Sequence, residues 1–187
     1  MIPLEFRPVR TERLLLRGLR AADVDAVHRY QGDADVTRYL PYEPRDRATV
    51  AAKIDEWGPR FRVAEEGDYL QLAVERVEDG LLIGDVYFSL RSAQHELGVV
   101  GWVFAPESRG FGYATEAARA LLGLAFDVMD LHRVMAELDT RNSASAAVCA
   151  RLGMREEARF VEDWRMKGEW TDTSVFALLA REWRQRA

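Results

Sequence analysis

Apolar and polar positions alternate along two neighbouring segments in the middle of the chain. Tyr69–Arg76 and Leu81–Leu90 follow this period of two on either side of the turn Glu78-Asp79-Gly80, which predicts an antiparallel hairpin. The apolar run Val99–Phe104 comes next and predicts a buried strand. A shorter run, Leu14–Arg17, predicts an earlier strand near the beginning of the chain.

Apolar residues at helical spacing predict four helices. The first follows Asp23, and the second covers residues 47–62. The third begins near residues 112–113. The fourth is Asn142–Leu152, which Gly153 ends.

Residues 32–45 carry two prolines and several aromatic side chains and are predicted to form a loop. Together with the helix that follows, this loop is a candidate lid over a substrate. Near the C-terminus another strand is predicted at Arg133–Leu138, and Arg155–Trp164 and Ser174–Leu179 predict a final hairpin. The order of elements predicts one α/β domain over residues 1–187, with a mixed, mostly antiparallel sheet of about seven strands flanked by about four helices.

A glycine-rich corner joins the strand Val99–Phe104 to the third helix. Gly110 and Gly112 have no Cβ, so the backbone there can adopt positive φ and approach a ligand closely. The unpaired N–H groups at the start of the helix and the positive end of its dipole point into this corner. The corner lacks both the G-x-G-x-x-G pattern of dinucleotide folds and the lysine of a nucleotide triphosphatase loop. It therefore predicts a metal-free binding site for a diphosphate.

Composition and charge narrow the function classes. The chain has 187 residues, of which 48% are hydrophobic, and a net charge of −5, which argues against a general nucleic-acid binder and is compatible with an amine-bearing substrate. The single cysteine, Cys149, excludes an internal disulfide and a cysteine-rich zinc site. The first residues lack an apolar signal segment, and the longest charge-free run, Leu97–Pro106, is too short to span a bilayer. We therefore expect a cytoplasmic protein without membrane or nucleic-acid partners.

Four motifs together resemble the GNAT family of N-acetyltransferases. They are RGFGYATEA after the buried strand, Asn142-x-x-Ser145, Arg151-Leu152-Gly153-Met154, and the closing GEWTDTSVFALLAREW. The resemblance extends from residue 10 to Trp183 and is closest to the branch that acetylates the N-termini of ribosomal proteins. It implies that the sheet is splayed beside the glycine corner and that the split holds acetyl-CoA, with no metal.

The resemblance also implies which residues contact acetyl-CoA. Backbone groups of the splayed strand would hold the pantetheine arm, the corner would hold the diphosphate, and the helix asparagine would reach the cofactor. The matching positions are Trp102, Val103, Phe104, Ser108, Arg109, Gly110, Phe111, Gly112, Tyr113, Ala114, Thr115, Asn142 and Ser145. Asn142 could instead be only a helix N-cap, Ser145 a packing or capping residue, and the Arg109 side chain a solvated group.

The reaction that the resemblance implies is direct attack of an amine on the thioester in a ternary complex. The favoured acceptor is a protein N-terminal amine, because an α-amino group, with a pKa near 8, loses its proton more readily than a lysine near 10.4. A backbone N–H near residues 102–104 could stabilise the oxyanion. The alternatives are an acetyltransferase of a small amine, such as an aminoglycoside or a polyamine, and a non-catalytic acyl-CoA sensor. Dimers are common in the family, so a homodimer is a further expectation.

The chain departs from the family pattern at both proton-transfer positions. A tyrosine often follows the helix asparagine by seven residues, but here that position is Cys149, whose thiol, with a pKa near 8.5, could protonate the leaving thiolate. A cysteine that only packs in the core is the alternative. The acid that family members often carry in the central strand is replaced by Val99, so Glu96 or His95 at the strand entrance is the candidate general base, unless these side chains are only solvated.

Overall fold

The computed structural model describes residues 1–185, which form ten strands and six helices. The strands are β1 (Leu4–Glu5), β2 (Val9–Arg10), β3 (Leu14–Gly18), β4 (Arg62–Val63), β5 (Tyr69–Arg76), β6 (Leu82–Ser92), β7 (Leu97–Phe104), β8 (Arg133–Asp139), β9 (Arg155–Met166) and β10 (Glu169–Leu179). The helices are α1 (Val24–Gln31), α2 (Ala34–Thr37), α3 (Arg47–Trp57), α4 (Tyr113–Gly123), α5 (Ser143–Leu152) and α6 (Ala180–Arg184). A π-helical turn, Leu124–Val128, continues α4.

Eight strands form one sheet in the order β2-β3-β5-β6-β7-β8-β10-β9, while β1 and β4 form a separate antiparallel pair. Every pairing in the large sheet is antiparallel except β7 with β8, which is parallel. The predicted α/β fold with a mostly antiparallel sheet is therefore confirmed. The strand count exceeds seven because β1, β2 and β4 have two residues each, too few to show a period of two.

Helices cover both faces of the sheet and create two apolar cores. The larger core packs α4 and α5 against one face, where Leu121 and Leu152 are buried against sheet residues such as Val86. The smaller core packs α1 and α3 against the opposite face, with Tyr30 and Ile54 among its buried side chains.

The helix predicted over residues 47–62 ends early, at Trp57. Gly58 follows it and Pro59 comes next. Gly58 still has helical dihedrals, with φ −52° and ψ −42°, but Pro59 has no N–H to continue the hydrogen-bond ladder, so the helix ends here. Residues 62–63 instead become β4 and pair with β1.

Two other boundaries differ from the prediction. The segment 32–45 contains the short helix α2, because the Asp33 carboxylate accepts hydrogen bonds from the Asp35 and Val36 amides and caps it. The last hairpin is longer than predicted, since β10 begins at Glu169. Its two-residue turn, residues 167–168, has positive φ at both positions, which suits the twist of a hairpin.

Candidate active site

The parallel pair β7–β8 opens into a cleft. In the described residues its ladder covers only Leu97–Val99 and Arg133–Met135. β7 continues to Phe104 and β8 to Asp139. Residues 100–104 of β7 and 136–139 of β8 therefore form no backbone pairs with each other. The main chain along this part of β7 is accordingly open to a ligand that enters the split.

The three predicted β7 contacts lie beside this cleft. Trp102 and Phe104 pack against the larger core, and Val103 packs against the smaller one on the opposite face. Their side chains are therefore used for packing, and what β7 presents to the cleft is its backbone edge.

The glycine corner follows directly, but the backbone amides of its first two predicted residues already have hydrogen-bond acceptors. The Ser108 amide donates to the Ala105 carbonyl at 3.0 Å, and the Arg109 amide donates to the Pro106 carbonyl at 3.1 Å. The Ser108 hydroxyl donates to the same Ala105 carbonyl at 2.6 Å. The expectation that the Ser108 and Arg109 amides hold the diphosphate is corrected, because a turn of 3-10 helix at Pro106–Ser108 already uses them.

The next six amides, from Gly110 to Thr115, have no acceptor within residues 1–185. Gly110 and Gly112 both have positive φ, 85° and 81°, and Gly112 is the N-cap of α4. The first amide of the helix with a backbone acceptor is that of Glu116, which donates to the Gly112 carbonyl at 3.1 Å. Six N–H groups beside the positive end of a helix dipole form a binding site for an anion such as a diphosphate.

Side chains from the β2–β3 turn support the corner from outside. The Glu116 carboxylate accepts from the Thr11 hydroxyl at 2.6 Å and from the Arg13 side chain at 2.7 Å. Arg13 also donates to the Phe111 carbonyl at 3.0 Å and lies over the Tyr113 ring. These contacts hold the corner in one shape, so its amides are oriented before a ligand arrives.

A cavity of about 670 Å³ adjoins the corner at Gly112. Its wall includes Thr115, Arg119 and Arg151, which lie on α4 and α5. Arg151 donates to the Thr115 hydroxyl at 3.0 Å, and neither arginine forms an ion pair in the described part of the chain. Three arginines and two glutamates line this cavity, so it has a net positive charge next to the unpaired amides of the corner.

Asn142 and Ser145 begin α5 at the edge of the cleft formed by β8. The Asn142 carbonyl oxygen accepts from the Ser145 amide at 3.0 Å, so the capping role is present. The side-chain amide nitrogen of Asn142, Nδ2, and the hydroxyl of Ser145 have no partner among residues 1–185. The same two side chains therefore remain able to contact a ligand.

Cys149 is completely buried in the larger core. Burial raises the pKa of its thiol to about 12. A thiol without exposed surface cannot meet a leaving thiolate in the cleft, so the structure favours the packing interpretation and argues against the proposed acid role.

Glu96 and His95 lie at the closed end of the split, which corrects the assignment of Glu96 as general base. Glu96 precedes the first residue of β7, and at about 3.3 Å per residue it stands roughly 20 Å along the strand from Trp102. Its carboxylate accepts from the Met1 amino group at 2.8 Å, and its carbonyl accepts from the amides of residues 132–133. His95 is exposed beside it.

A second cavity, of about 270 Å³, lies against the cleft half of β8. Phe160 and Trp164 of the β9–β10 hairpin form one wall, and Tyr39 and Pro41 of the segment 38–46 form another. Lys167, in the hairpin turn, donates to the Thr37 carbonyl at 2.6 Å and joins the two walls. We call this space the acceptor cavity.

Carboxylates line the acceptor cavity. Both oxygens of Glu137 accept from Arg91, at 2.6 and 2.7 Å. Burial raises the pKa of Asp139, but hydrogen bonds from Arg141 outweigh it, and the net pKa lies below the ordinary value. Asp163 is exposed and has no ion-pair partner in residues 1–185. The cavity therefore suits a ligand that carries positive charge.

Sequence reasoning missed these carboxylates, although a signal for two of them existed. In the strand predicted at residues 133–138, alternate positions share a face, and this places Glu137 and the neighbouring Asp139 together on one side. Two exposed aromatic side chains of the hairpin, Phe160 and Trp164, line the cavity. Trp170 lies opposite Arg165 in the hairpin and is outside its lining.

Two additional findings concern other kinds of site. Among residues 1–185, no three His, Cys, Asp or Glu side chains are grouped so that they could hold a metal ion. No helix in this part of the chain is long and apolar enough to cross a bilayer.

Comparisons with known proteins agree with this geometry. The family model described as an acetyltransferase (GNAT) domain matches residues 13–155. The N-acetyltransferase YnaD of Bacillus subtilis is 33% identical over 177 residues, which cover 94% of this chain and 98% of YnaD. The crystal structure of a GNAT-family acetyltransferase from Bacillus anthracis has a TM-score of 0.85 at 31% identity, and the match covers 94% of this chain and 100% of that one.

Two other relatives are named for their acceptors. Spermidine N(1)-acetyltransferase of Escherichia coli K12 is 27% identical over 161 residues, which cover 83% of this chain and 80% of the relative. YdaF of Bacillus subtilis, named as a candidate ribosomal N-acetyltransferase, is 31% identical over 105 residues, or 56% of this chain and 57% of YdaF. The likeness thus extends to proteins named for two different acceptors.

Proposed function

Because this chain belongs to the GNAT acetyltransferase family and is an acetyl-CoA-dependent N-acetyltransferase, we propose that its acceptor is the α-amine at the N-terminus of a protein or peptide. The acetyl group passes by direct attack in a ternary complex. The observation that carries the proposal is the split between β7 and β8, which connects the row of amides at Gly110–Thr115 with the acceptor cavity.

The described residues fit acetyl-CoA in three places. The six amides from Gly110 to Thr115 would hold the diphosphate, and the adjoining basic cavity with Arg119 and Arg151 would hold the rest of the nucleotide end. The open backbone edge of β7 at residues 102–104 would hold the pantetheine arm, and Asn142 and Ser145 would contact it from α5. Acetyl-CoA supplies an acetyl thioester to the cleft, and a β7 amide there would stabilise the oxyanion that forms during attack.

An α-amine suits this cleft because few groups near it can remove a proton. Both oxygens of Glu137 are engaged by Arg91, and Glu96 is at the closed end of the split. An α-amine with a pKa near 8 is already partly neutral at physiological pH, whereas an alkyl amine near 10.4 costs about 3 kcal/mol more to deprotonate. Holding the neutral amine in line with the thioester would then supply most of the catalysis.

A polyamine is the second candidate acceptor. The carboxylates of Glu137, Asp139 and Asp163 line the acceptor cavity together with aromatic side chains, a combination that binds organic cations. The likeness to spermidine N(1)-acetyltransferase points in the same direction. Asp163 distinguishes the candidates most clearly, because its charge would bind a distant ammonium group that a neutral peptide lacks.

Thiol release from acetyl-CoA tests the proposal when it is measured against N-terminal peptides, spermidine, spermine and an aminoglycoside. We expect turnover with peptides, and little loss when Asp163→Asn is compared with the wild type. Turnover only with polyamines, reduced by Asp163→Asn, would establish the second candidate instead. Acetyl-CoA binding without turnover on any acceptor would indicate a sensor and contradict both.

Three features of the sequence-based interpretation remain proposals. We propose that residues 1–187 form one acetyltransferase domain, of which residues 186–187 lie outside the described part. A cytoplasmic location and a homodimer also remain predictions, for which sedimentation and cell fractionation are the direct tests.

A further inference from the structure

A carboxylate that plays no part in the cleft is buried behind it. Asp85, on β6, is 1% exposed and pairs in register with Val103 of the splayed strand. Burial raises its pKa. Burying a carboxylate in a core costs free energy unless its oxygens accept hydrogen bonds.

Three side chains donate to Asp85. They are the Tyr30 hydroxyl at 2.6 Å, the Gln31 amide nitrogen at 2.8 Å and the Gln71 amide nitrogen. An ionised carboxylate is an acceptor only, so it forces the NH2 group of Gln31 to face it. The carbonyl oxygen of Gln31 must then point the other way.

That oxygen binds Arg45. The Arg45 guanidinium donates to it at 2.6 Å, and the Arg45 amide donates to the Gln31 backbone carbonyl at 3.0 Å. An arginine side chain can only donate. We call the chain of hydrogen bonds Asp85–Gln31–Arg45 the relay. Both of its hydrogen bonds form in one orientation of the Gln31 side-chain amide, and neither forms in the other.

Arg45 in turn holds the segment that forms one wall of the acceptor cavity. Its guanidinium lies 3.6 Å from the Tyr42 ring centroid and 5.3 Å from that of Trp57. Tyr42 is in the same segment 38–46 as Tyr39 and Pro41, which line the cavity. Because the Arg45 guanidinium contacts both rings and Trp57 is the last residue of α3, Arg45 connects the segment 38–46 to α3.

We propose that Asp85 is a positioning residue, which fixes the polarity of the Gln31 amide so that Arg45 holds the segment 38–46 in place over the acceptor. The inference rests on the proposed function, because it assigns the acceptor to this cavity. It predicts that damage to the relay weakens acceptor binding and leaves acetyl-CoA binding intact.

The variant Asp85→Asn tests the relay with little change in shape. The uncharged asparagine has one oxygen for three donors, so it no longer fixes the Gln31 amide, which can turn over and place its NH2 group against Arg45. We expect the KM for the acceptor that the wild type uses to rise about tenfold, the loss of one hydrogen bond to a charged group. The KM for acetyl-CoA should stay within about twofold, since the contacts of the corner are unchanged.

Arg45→Met removes the guanidinium and keeps much of the stem, so it tests the relay even if Asp85→Asn does not fold. It should raise the acceptor KM by a similar factor, and the double variant should be no worse than Arg45→Met alone, because both act through one connection. Multiplication of the two effects, or an unchanged acceptor KM in Arg45→Met, would overturn the proposal.

Asp23→Asn is the matched control. Asp23 is also a buried carboxylate, and it lies at the N-terminal end of α1, whereas Gln31 lies at the C-terminal end. Its partners, Arg17 and the Arg20 amide, lie outside the segment 38–46. It should lower stability without a change in acceptor KM. Amide hydrogen exchange gives a readout that needs no acceptor: exchange across residues 39–45 should accelerate in Asp85→Asn and stay at the wild-type rate in Asp23→Asn. Equal exchange in all three proteins would contradict the relay even if no acceptor is turned over.

Discussion

The thiol of Cys149 is enclosed by apolar side chains between α5 and the sheet. Burial raises the pKa of this thiol to about 12, which makes it a weaker proton donor for a leaving thiolate. The same burial keeps a leaving thiolate at a distance. Its position on the helix face that begins with Asn142 is therefore a result of packing.

Cys149→Ala should leave kcat within about twofold of the wild type and lower stability by about 1 kcal/mol, because a small cavity replaces the sulfur. Steady-state kinetics and thermal unfolding measure the two quantities. A kcat that falls tenfold or more while the melting temperature is unchanged would restore the acid role.

At the scale of elements, the β9–β10 hairpin carries two exposed tryptophans, of which one lines the acceptor cavity and the other does not. Trp164 is 55% exposed and lines the acceptor cavity, while Trp170 is 60% exposed and does not. The two residues therefore form a matched pair with similar exposure on one hairpin.

Trp164→Ala should raise the acceptor KM about tenfold, since it removes an aromatic wall of the cavity, whereas Trp170→Ala should change it less than twofold. The KM for acetyl-CoA should be unaffected in both variants. Equal effects of the two substitutions, in either direction, would show that the acceptor does not bind against this hairpin wall.

The same elements show how far sequence reasoning extends. The corner could be predicted because Gly110, Gly112 and the helix after them produce a local signal that depends on backbone chemistry. The acceptor cavity could not, because it brings Tyr39 together with Glu137 and Trp164, which lie 98 and 125 residues further along the chain. Glu96 was misassigned because it precedes the strand, whereas the split lies beside the corner at the other end of the strand.

The relay behind β6 was also beyond the sequence. In the sequence, Gln31 could be either part of the helical stripe of the first helix or a polar contact. Asp85 lies in a strand whose alternating pattern predicted only a hairpin. Only the packing of α1 on the sheet brings them within hydrogen-bond distance.

At the scale of the whole molecule, charge is separated between the two cavities. The cavity beside the corner carries Arg119, Arg151 and Glu12 without ion-pair partners in the described residues, a net positive charge, while Asp163 is the unpaired charge of the acceptor cavity. The net charge of −5 for the whole chain therefore does not predict the local charge of either cavity. Local fields of opposite sign would direct a phosphorylated cofactor and a cationic acceptor to their own ends of the split.

The central claim is that the amides from Gly110 to Thr115 hold the diphosphate of acetyl-CoA, and a titration followed by amide-resolved NMR tests it most directly. We expect the amide protons of these six residues to shift downfield together and to saturate at one equivalent of coenzyme A, since hydrogen bonding to an anion deshields them. Ser108 and Arg109 should move much less, because their amides already donate to carbonyls of the preceding turn. Saturation with shifts elsewhere in the molecule, while Gly110–Thr115 remain at their starting positions, would contradict the account.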